Sequence, residues 1–525
     1  MRKLLALLQV GLLVAVAGCT SLSQYVHNGF KVGPNHATPA AAVADDWLDS
    51  SDARLTREPI DCLAWWQIFN DPVLDRVVAL AYQQNITLRE AGLRVAEAQA
   101  QRAVVAGALF PQTQDAFGEY IHTQRSTQTA LFPRGAVPLG NFALRQFDAW
   151  RVGGSLAWEL DFWGRFRRAI EAADARLDGS VENYHDALVL LIAEVATAYI
   201  DVRTLDQRLD FARNNADLQQ ESARVAEARL RAKAADSEVD APQAKSNLSR
   251  TLAGIAALGI ARRQAENRLA VLLGMPPQDL SELLQGEQPI PVAPDRVAIG
   301  VPADLLRRRP DVRRAERLVA AQCAEIGFAQ TNLYPHISLN GALSLEAAQF
   351  SDVFNGGAWA GTVGPAFRWN VLNYGRLVNN VRVQDARLDA QIAIYQQTVL
   401  QANEEAENAI AAFLRTHEQV KHLQQSVQQA QEAVRVTQAK YRAGQIDFNR
   451  VFTVEALLVS QQDQYASVQG NLANSLIALY RALGGGWEVG PQPLEAEPQA
   501  AEATAAEAPD APDPAATASD PPARL

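Results

Sequence analysis

DARLD, at Asp174 to Asp178, is repeated letter for letter at Asp385 to Asp389, 211 residues further on. The shorter DARL also stands at Asp52 to Leu55, so the match has meaning only if its register extends on both sides. It does. At the same offset Trp158 meets Trp369, Gly164 meets Gly375, Arg165 meets Arg376, Tyr184 meets Tyr395, and Arg231-Ala232 meet Arg442-Ala443, without a gap. Upstream, Phe110-Pro111 resembles Tyr334-Pro335, and downstream Leu273-Gly274 answers Leu483-Gly484. The chain is two tandem copies of one unit of roughly 200 residues, several times longer than a solenoid repeat.

Between Arg165 and Arg231 there is no proline and a single glycine, Gly179; between Arg376 and Arg442 there is neither. Both spans are rich in Ala, Gln, Glu, Arg and Leu, which favour helix, and each predicts a rod of roughly 100 Å. Leu188, Leu191, Ile192, Val195 and Tyr199 recur at helical spacing, and Ala402, Ala406, Ala409, Ala411 and Ala412 form a narrow small-residue stripe. Such stripes suit close packing in a bundle or cylinder wall with one wetted face. Each rod runs into a turn, RAKAADSEVD (Arg231 to Asp240) or RAGQIDFNR (Arg442 to Arg450), followed by a returning helix. Two further helices are predicted, from about Pro72 to Ala106 and from about Pro310 to Thr331.

Ahead of each rod the period changes to two. Trp150, Val152, Gly154, Leu156, Trp158, Leu160 and Phe162 alternate with Arg151, Gly153, Ser155, Ala157, Glu159 and Asp161. Ile337, Leu339, Leu343 and Leu345 alternate with His336, Ser338, Asn340, Ser344 and Glu346; Val363, Phe367, Trp369 and Val371 alternate with Thr362, Arg368 and Asn370. A fourth strand, around Thr113 to His122, carries the pattern weakly. The strands are expected at about 111–125, 145–162, 335–347 and 359–372. One apolar and one polar face fit a transmembrane β-barrel with a wet lumen; a half-buried soluble sheet is the other reading. Four strands cannot close a membrane barrel, whereas two chains would supply eight and three would supply twelve.

The first residues, MRKLLALLQVGLLVAVAGCTS, place Arg2 and Lys3 before an apolar run from Leu4 to Ala17, the layout of a signal peptide over 1–18. Val16-Ala17-Gly18-Cys19 resembles a bacterial lipobox, which makes Cys19 the expected lipid attachment residue; Thr20 after it suggests sorting to the outer membrane. The other reading of Cys19 is the last small residue of an ordinary signal. Residues 19–61 are loosely patterned and expected to form an anchored tether, and 489–525, rich in Ala, Pro and Glu, a disordered tail. Cys62 and Cys323 have neither CxxC nor Cys/His spacing, so no disulfide framework is built. The formal charge is −11, and −13 without Arg2 and Lys3, which disfavours nucleic acid as a partner.

No catalytic set emerges. HEQVKH (His417 to His422) puts Lys421 where HExxH has its second histidine, so no metal site is expected. The arginines at 307–309, with Arg313, Arg314 and Arg317, read as a solvated helix start. Gly484 to Gly486 follow a helix, unlike a phosphate cradle, and Glu404, Glu405 and Glu407 read as a wetted face. The chain is therefore not expected to be an enzyme or to carry a cofactor beyond the N-terminal lipid on Cys19.

KVGPN (Lys31 to Asn35), WWQIFNDPVLDRVVALAYQQN (Trp65 to Asn85), RRRPDVRRAER (Arg307 to Arg317), LYPHISL (Leu333 to Leu339), YRAGQIDF (Tyr441 to Phe448) and ALYRALGGGW (Ala478 to Trp487) together resemble the TolC-like outer-membrane efflux proteins, of the acylated NodT/OprM-type branch. The resemblance spans about residues 30 to 488. It implies a mainly α fold with a small transmembrane β portion: a homotrimer whose twelve-stranded barrel in the outer membrane continues as a periplasmic α-helical barrel. The two repeats would occupy 62–290 and 291–488, with helical hairpins at 164–274 and 375–484. The implied partners are a periplasmic adaptor protein, an inner-membrane pump of the resistance-nodulation-division (RND) class, and outer-membrane lipid.

The same resemblance makes Arg231, Ala232, Arg442, Ala443 and Gly444 candidates for adaptor contact at the hairpin tips, which also form the resting periplasmic gate. Relatives often continue the second tip as IDFLTVLDAQR; here it reads IDFNRVFTVEAL, so Thr453 takes the acidic place and Ala456 the basic one. Asp447, Asn449, Arg450, Thr453 and Glu455 are the gate candidates that remain. The implied function is the exit duct of a tripartite efflux pump. A duct for protein or polysaccharide secretion uses the same architecture, and a purely structural or peptidoglycan-acting envelope lipoprotein would leave the amphipathic strands unexplained.

Overall fold

The computed structural model describes residues 21–58, 63–124, 146–232, 237–285, 288–304 and 308–488. The signal peptide, Cys19, Cys62 and the 489–525 tail lie outside the described residues. A short helix α1 (Leu22–His27) and strand β1 (Leu55–Thr56) precede α2 (Pro72–Gln84) and α3 (Ile86–Gly107). Then come β2 (Thr113–Gln124), β3 (Gln146–Leu160), the first rod α4 (Arg165–Arg231) and its return α5 (Ser237–Leu272). After α6 (Ser281–Leu284) and β4 (Val297–Ala298), the second copy repeats the order: α7 (Pro310–Thr331), β5 (His336–Ala347), β6 (Trp359–Arg368), rod α8 (Arg376–Arg442) and return α9 (Phe448–Ala482).

Both rods are 67 residues long and begin at equivalent positions. The duplication extends to tertiary detail. Trp158 donates its indole N–H to the Leu109 carbonyl at 3.1 Å, and Trp369 donates its own to Leu333 at 3.0 Å. In each copy the last strand before a rod is thus pinned to the break that ends the preceding helix. The strands form one antiparallel sheet in the order β2-β3-β5-β6. Trp158 lies opposite Leu339, and Glu159 opposite Ser338, so apolar and polar residues segregate to opposite faces.

Along its first half α4 packs between α3 and α7, as Arg102 with Asp174 (2.7 Å) and Arg176 with Glu325 (2.6 Å) mark. Along its second half it packs between α5 and α9. The α8 rod lies beside α7 and then α9. Between the halves sits the main core, where Trp65 stacks on Tyr480 (centroids 5.5 Å apart) among Phe69, Leu74, Leu188, Tyr199 and Phe413. Full burial of each such side chain contributes about 1.5–3 kcal/mol. The parallel pair β1–β4 closes this belt.

Three expectations need correction. The helix predicted from Pro72 to Ala106 is two helices, because buried Asn85 adopts φ −64°, ψ 125° and caps α3 with a 2.8 Å bond from the Leu88 N–H. Its amide also donates to the Leu272 carbonyl at 2.8 Å, so the break joins α3 to the end of α5. The arginine run is not simply a solvated helix start. Arg309 is buried, donates to the Ala482 carbonyl at 3.0 Å and pairs with Asp311 and Glu405, each at 2.8 Å. The described part of the 19–61 tether is not loose: it is a strap docked on both copies. Arg168, itself buried, donates to the Val32 and Gly33 carbonyls at 3.0 and 2.9 Å, and Lys31 pairs with Glu171. Further along, Thr38 donates to Glu316 at 2.7 Å, the Leu48 N–H to Glu407 at 3.0 Å, and Arg54 to the Leu414 carbonyl at 3.0 Å.

Candidate functional site

The sheet presents the two faces a membrane wall requires. On one face Val363 is 81% and Phe367 76% exposed, beside Leu343 and Trp359. Toward one end Tyr120, Trp150 and Phe350 form an aromatic cluster, with centroids 4.7 and 5.1 Å apart. Aromatic rings bordering an exposed apolar band match the girdle of a lipid-facing surface. The opposite face is ionic: Arg151 bridges Glu119 at 3.0 Å and Glu346 at 2.9 Å across three strands. Among the described residues no helix is long and apolar enough to cross a membrane.

Far from the sheet, the two hairpins meet along a seam with an unusual composition. From Asp201 to Arg229 every seventh residue of α4 (Asp201, Arg208, Asn215, Ser222 and Arg229) is polar and bonds to the other hairpin. Asp201 accepts from Asn474 at 3.0 Å, Arg208 donates to Asp463 at 2.7 Å, Asn215 to Gln462 at 2.6 Å, Ser222 to Glu455 at 2.6 Å, and Arg229 to the Tyr441 carbonyl at 3.1 Å. Apolar residues at these positions would have made a coiled-coil seam. The seam therefore depends on hydrogen bonds, each contributing modestly, in place of buried apolar area.

At the tips a small cluster of Ala223, Ala226, Ala241, Ala244, Tyr441, Phe448 and Val451 holds both hairpins together. Tyr441 is 2% exposed; its hydroxyl donates to Asp240 at 3.0 Å and its ring lies 4.6 Å from the Arg229 guanidinium. Burial first and Asp240 second push the phenol pKa well above its ordinary value. One layer further in, Glu455 accepts from Ser222 of α4 (2.6 Å), Asn247 of α5 (3.3 Å) and Gln438 of α8 (2.9 Å), so four helices meet at one carboxyl. Burial raises the Glu455 pKa, and the three hydrogen bonds only partly oppose it.

The predicted tip residues separate into groups. Arg231 and Arg442 are exposed, with Glu227 at 3.7 Å and Glu221 at 3.8 Å respectively. Ala232 and Ala443 cap the ends of the rods, and Gly444, at φ +73°, lets Gln445 bond back to the Lys440 carbonyl at 2.9 Å. Asp447 is the N-cap of α9, accepting from the Arg450 N–H at 3.1 Å. Asn449, Arg450 and Thr453 are exposed, the Thr453 hydroxyl turned back to the Asn449 carbonyl at 2.8 Å. Glu455 does not join them: it is 2% exposed, inside the four-helix junction. Tyr441, Asp240, Ser222, Asn247 and Gln438 were missed. The polar heptad on α4 was the available signal for Ser222; the others are defined only by how the hairpins meet.

A model of the family described as "Outer membrane efflux protein" matches residues 77–275 and 301–485, one segment in each copy. The chain is 29% identical to Nodulation protein T of Rhizobium leguminosarum bv. viciae over 470 residues, covering 90% of this chain and 93% of that protein. It is 30% identical to the pyoverdine export outer membrane protein OpmQ of Pseudomonas putida, covering 81% and 88%. Among solved structures, the outer-membrane channel OprN superposes with a TM-score of 0.80 at 32% identity, over 87% of this chain and 99% of that one.

Proposed function

Because the chain belongs to the outer membrane efflux protein family, we propose that this efflux channel of the outer membrane works as the passive exit duct of a tripartite pump, with no catalytic step of its own. The observation that carries this reading is the four-stranded sheet continued by two 67-residue rods. Among the described residues its edge strands β2 and β6 each pair on one side only, so β6 of one copy can join β2 of the next. Three copies would supply a closed twelve-stranded wall, and their rods would continue it as a cylinder.

The docked tips suit a periplasmic adaptor, which would couple the duct to an energised inner-membrane pump of the RND class. Pyoverdine export, named for one relative, marks small organic molecules as the cargo class to try first. Lipid on Cys19 is supported by position. The chain enters the described structure at Ser21, and Tyr25 donates to the Phe162 carbonyl at 2.7 Å beside Phe30, Trp163 and Tyr334, at the sheet's rod-side end.

The test is accumulation of a fluorescent dye in cells with and without the gene, before and after collapse of the proton gradient. Deletion should raise accumulation only in energised cells. No change across a broad panel of dyes and antibiotics would turn the search to secreted proteins or polysaccharides. Metabolic labelling with an alkyne fatty acid, lost in Cys19→Ala, tests the anchor.

A further inference from the structure

Where the sheet meets the rods, its polar face borders a cavity of about 1040 Å³ lined by three arginines, Arg165, Arg368 and Arg376, and one carboxylate, Glu159. That carboxylate is already engaged, accepting from Arg165 at 3.1 Å and lying 2.8 Å from His336 Nδ1. Arg368 and Arg376 are exposed and reach no acidic side chain among the described residues. The surplus of positive charge is therefore concentrated in one recess of an acidic protein.

The placement runs against ordinary helix electrostatics. Arg165 and Arg376 are the first residues of the two rods, and neither rod has an acidic residue in its first turn, where peptide dipoles already favour an anion. The internal repeat supplies the comparison. In the first copy Asp161 accepts from the Phe166 N–H at 2.9 Å and the Arg167 N–H at 3.2 Å, placing a carboxylate at the rod's start. The residue 211 positions later is Leu372, and no side chain caps the second rod. The second copy thus combines uncompensated guanidinium groups with a start that lacks the carboxylate its twin carries, and Asn379 and Asn380 add amide donors to the same wall.

We propose that this cavity binds small oxyanions, the carboxylate or phosphate groups of solutes passing through the duct, with Arg368 and Arg376 as the principal ligands. Arg165 is drawn away by Glu159 and contributes less. The inference rests on the polar face lining the conduit and deepens that reading: repeated in every subunit, the cavity would form a basic ring at the neck and favour acidic cargo. A lipid headgroup is not the intended ligand, since the cavity opens on the face opposite the apolar band.

The probe is citrate, titrated calorimetrically at low ionic strength into the full-length, detergent-solubilised protein. Wild type should bind it, and R368Q combined with R376Q should weaken binding at least about tenfold, because charge-assisted contacts carry the affinity. E159Q should move the other way, tightening binding by about threefold as the competing carboxylate is removed and Arg165 released. A merely structural role for these residues predicts no such opposition of signs. No binding by wild type, or an affinity within about twofold in the double arginine variant, overturns the proposal. The readout does not involve transport, so its failure and failure of the efflux reading are separate results.

Discussion

The Tyr441 hydroxyl, at the end of the second rod, donates a 3.0 Å hydrogen bond to Asp240, at the start of the first hairpin's return helix. This bond ties one tip to the other inside a single chain. Tyr441→Phe keeps the ring on Arg229 but removes the donor, at a cost of about 1.5–3 kcal/mol for a bond to a charged acceptor. Resting conductance in planar bilayers should rise about tenfold or more. Wild-type conductance in the variant would show that the bond does not hold the tip shut.

Glu455 predicts a pH dependence with a definite sign. Its folded pKa is raised above the ordinary glutamate value of 4.5, chiefly by burial. The protonated form therefore stabilises the fold below that value, and this contribution is lost as the pH rises through the raised pKa. Glu455→Gln should be as stable as wild type near pH 4 and gain in melting temperature relative to it toward pH 7. A difference that stays constant across this range would refute the assignment.

At Gly470 α9 lies close against α4: an added Cβ would lie 3.0 Å from Thr204 Cβ and nearer still to its hydroxyl. Gly470→Ala should lower stability by about 1–3 kcal/mol through overpacking. Thr204→Ala in the same chain should restore part of the loss, read as melting temperature. Equal instability of the single and double variants would place the strain elsewhere.

Arg168 holds the N-terminal strap through the Val32 and Gly33 carbonyls. Arg168→Ala should leave the rods folded but open the peptide bond after Lys31 to trypsin, detected by mass spectrometry of the native protein. Unchanged resistance would mean that the strap's other contacts suffice.

How much of this was legible depends on the range of the interactions. The rods from Arg165 and Arg376 could be bounded because nothing within them breaks a helix, and the repeat gave each boundary a second witness. Strand β2 was faint because Glu119, Tyr120 and His122 leave neither face cleanly apolar. The Asn85 break was written in its capping chemistry, yet the apolar spacing on either side reads as one helix. The strap looked loose because much of what binds it is its backbone: Arg167 and Arg168 seize carbonyls, which leave no trace in the strap's composition. Glu455 read as an accessible charge, since Ser222 and Asn247 stand 233 and 208 residues away in sequence.

The strap also orders the protein's biogenesis. Residues 38–54 leave the ribosome early, but Glu316, Glu407 and Leu414, which receive them, are made some 280 to 360 residues later. Contacts of such separation close last. Residues 31–33 find their partners on the first rod, at Arg168 and Glu171, whereas residues 38–54 have nowhere to dock until the second copy has folded. The later half of the strap therefore closes only over a chain whose second copy is in place, and so records that both copies have been completed.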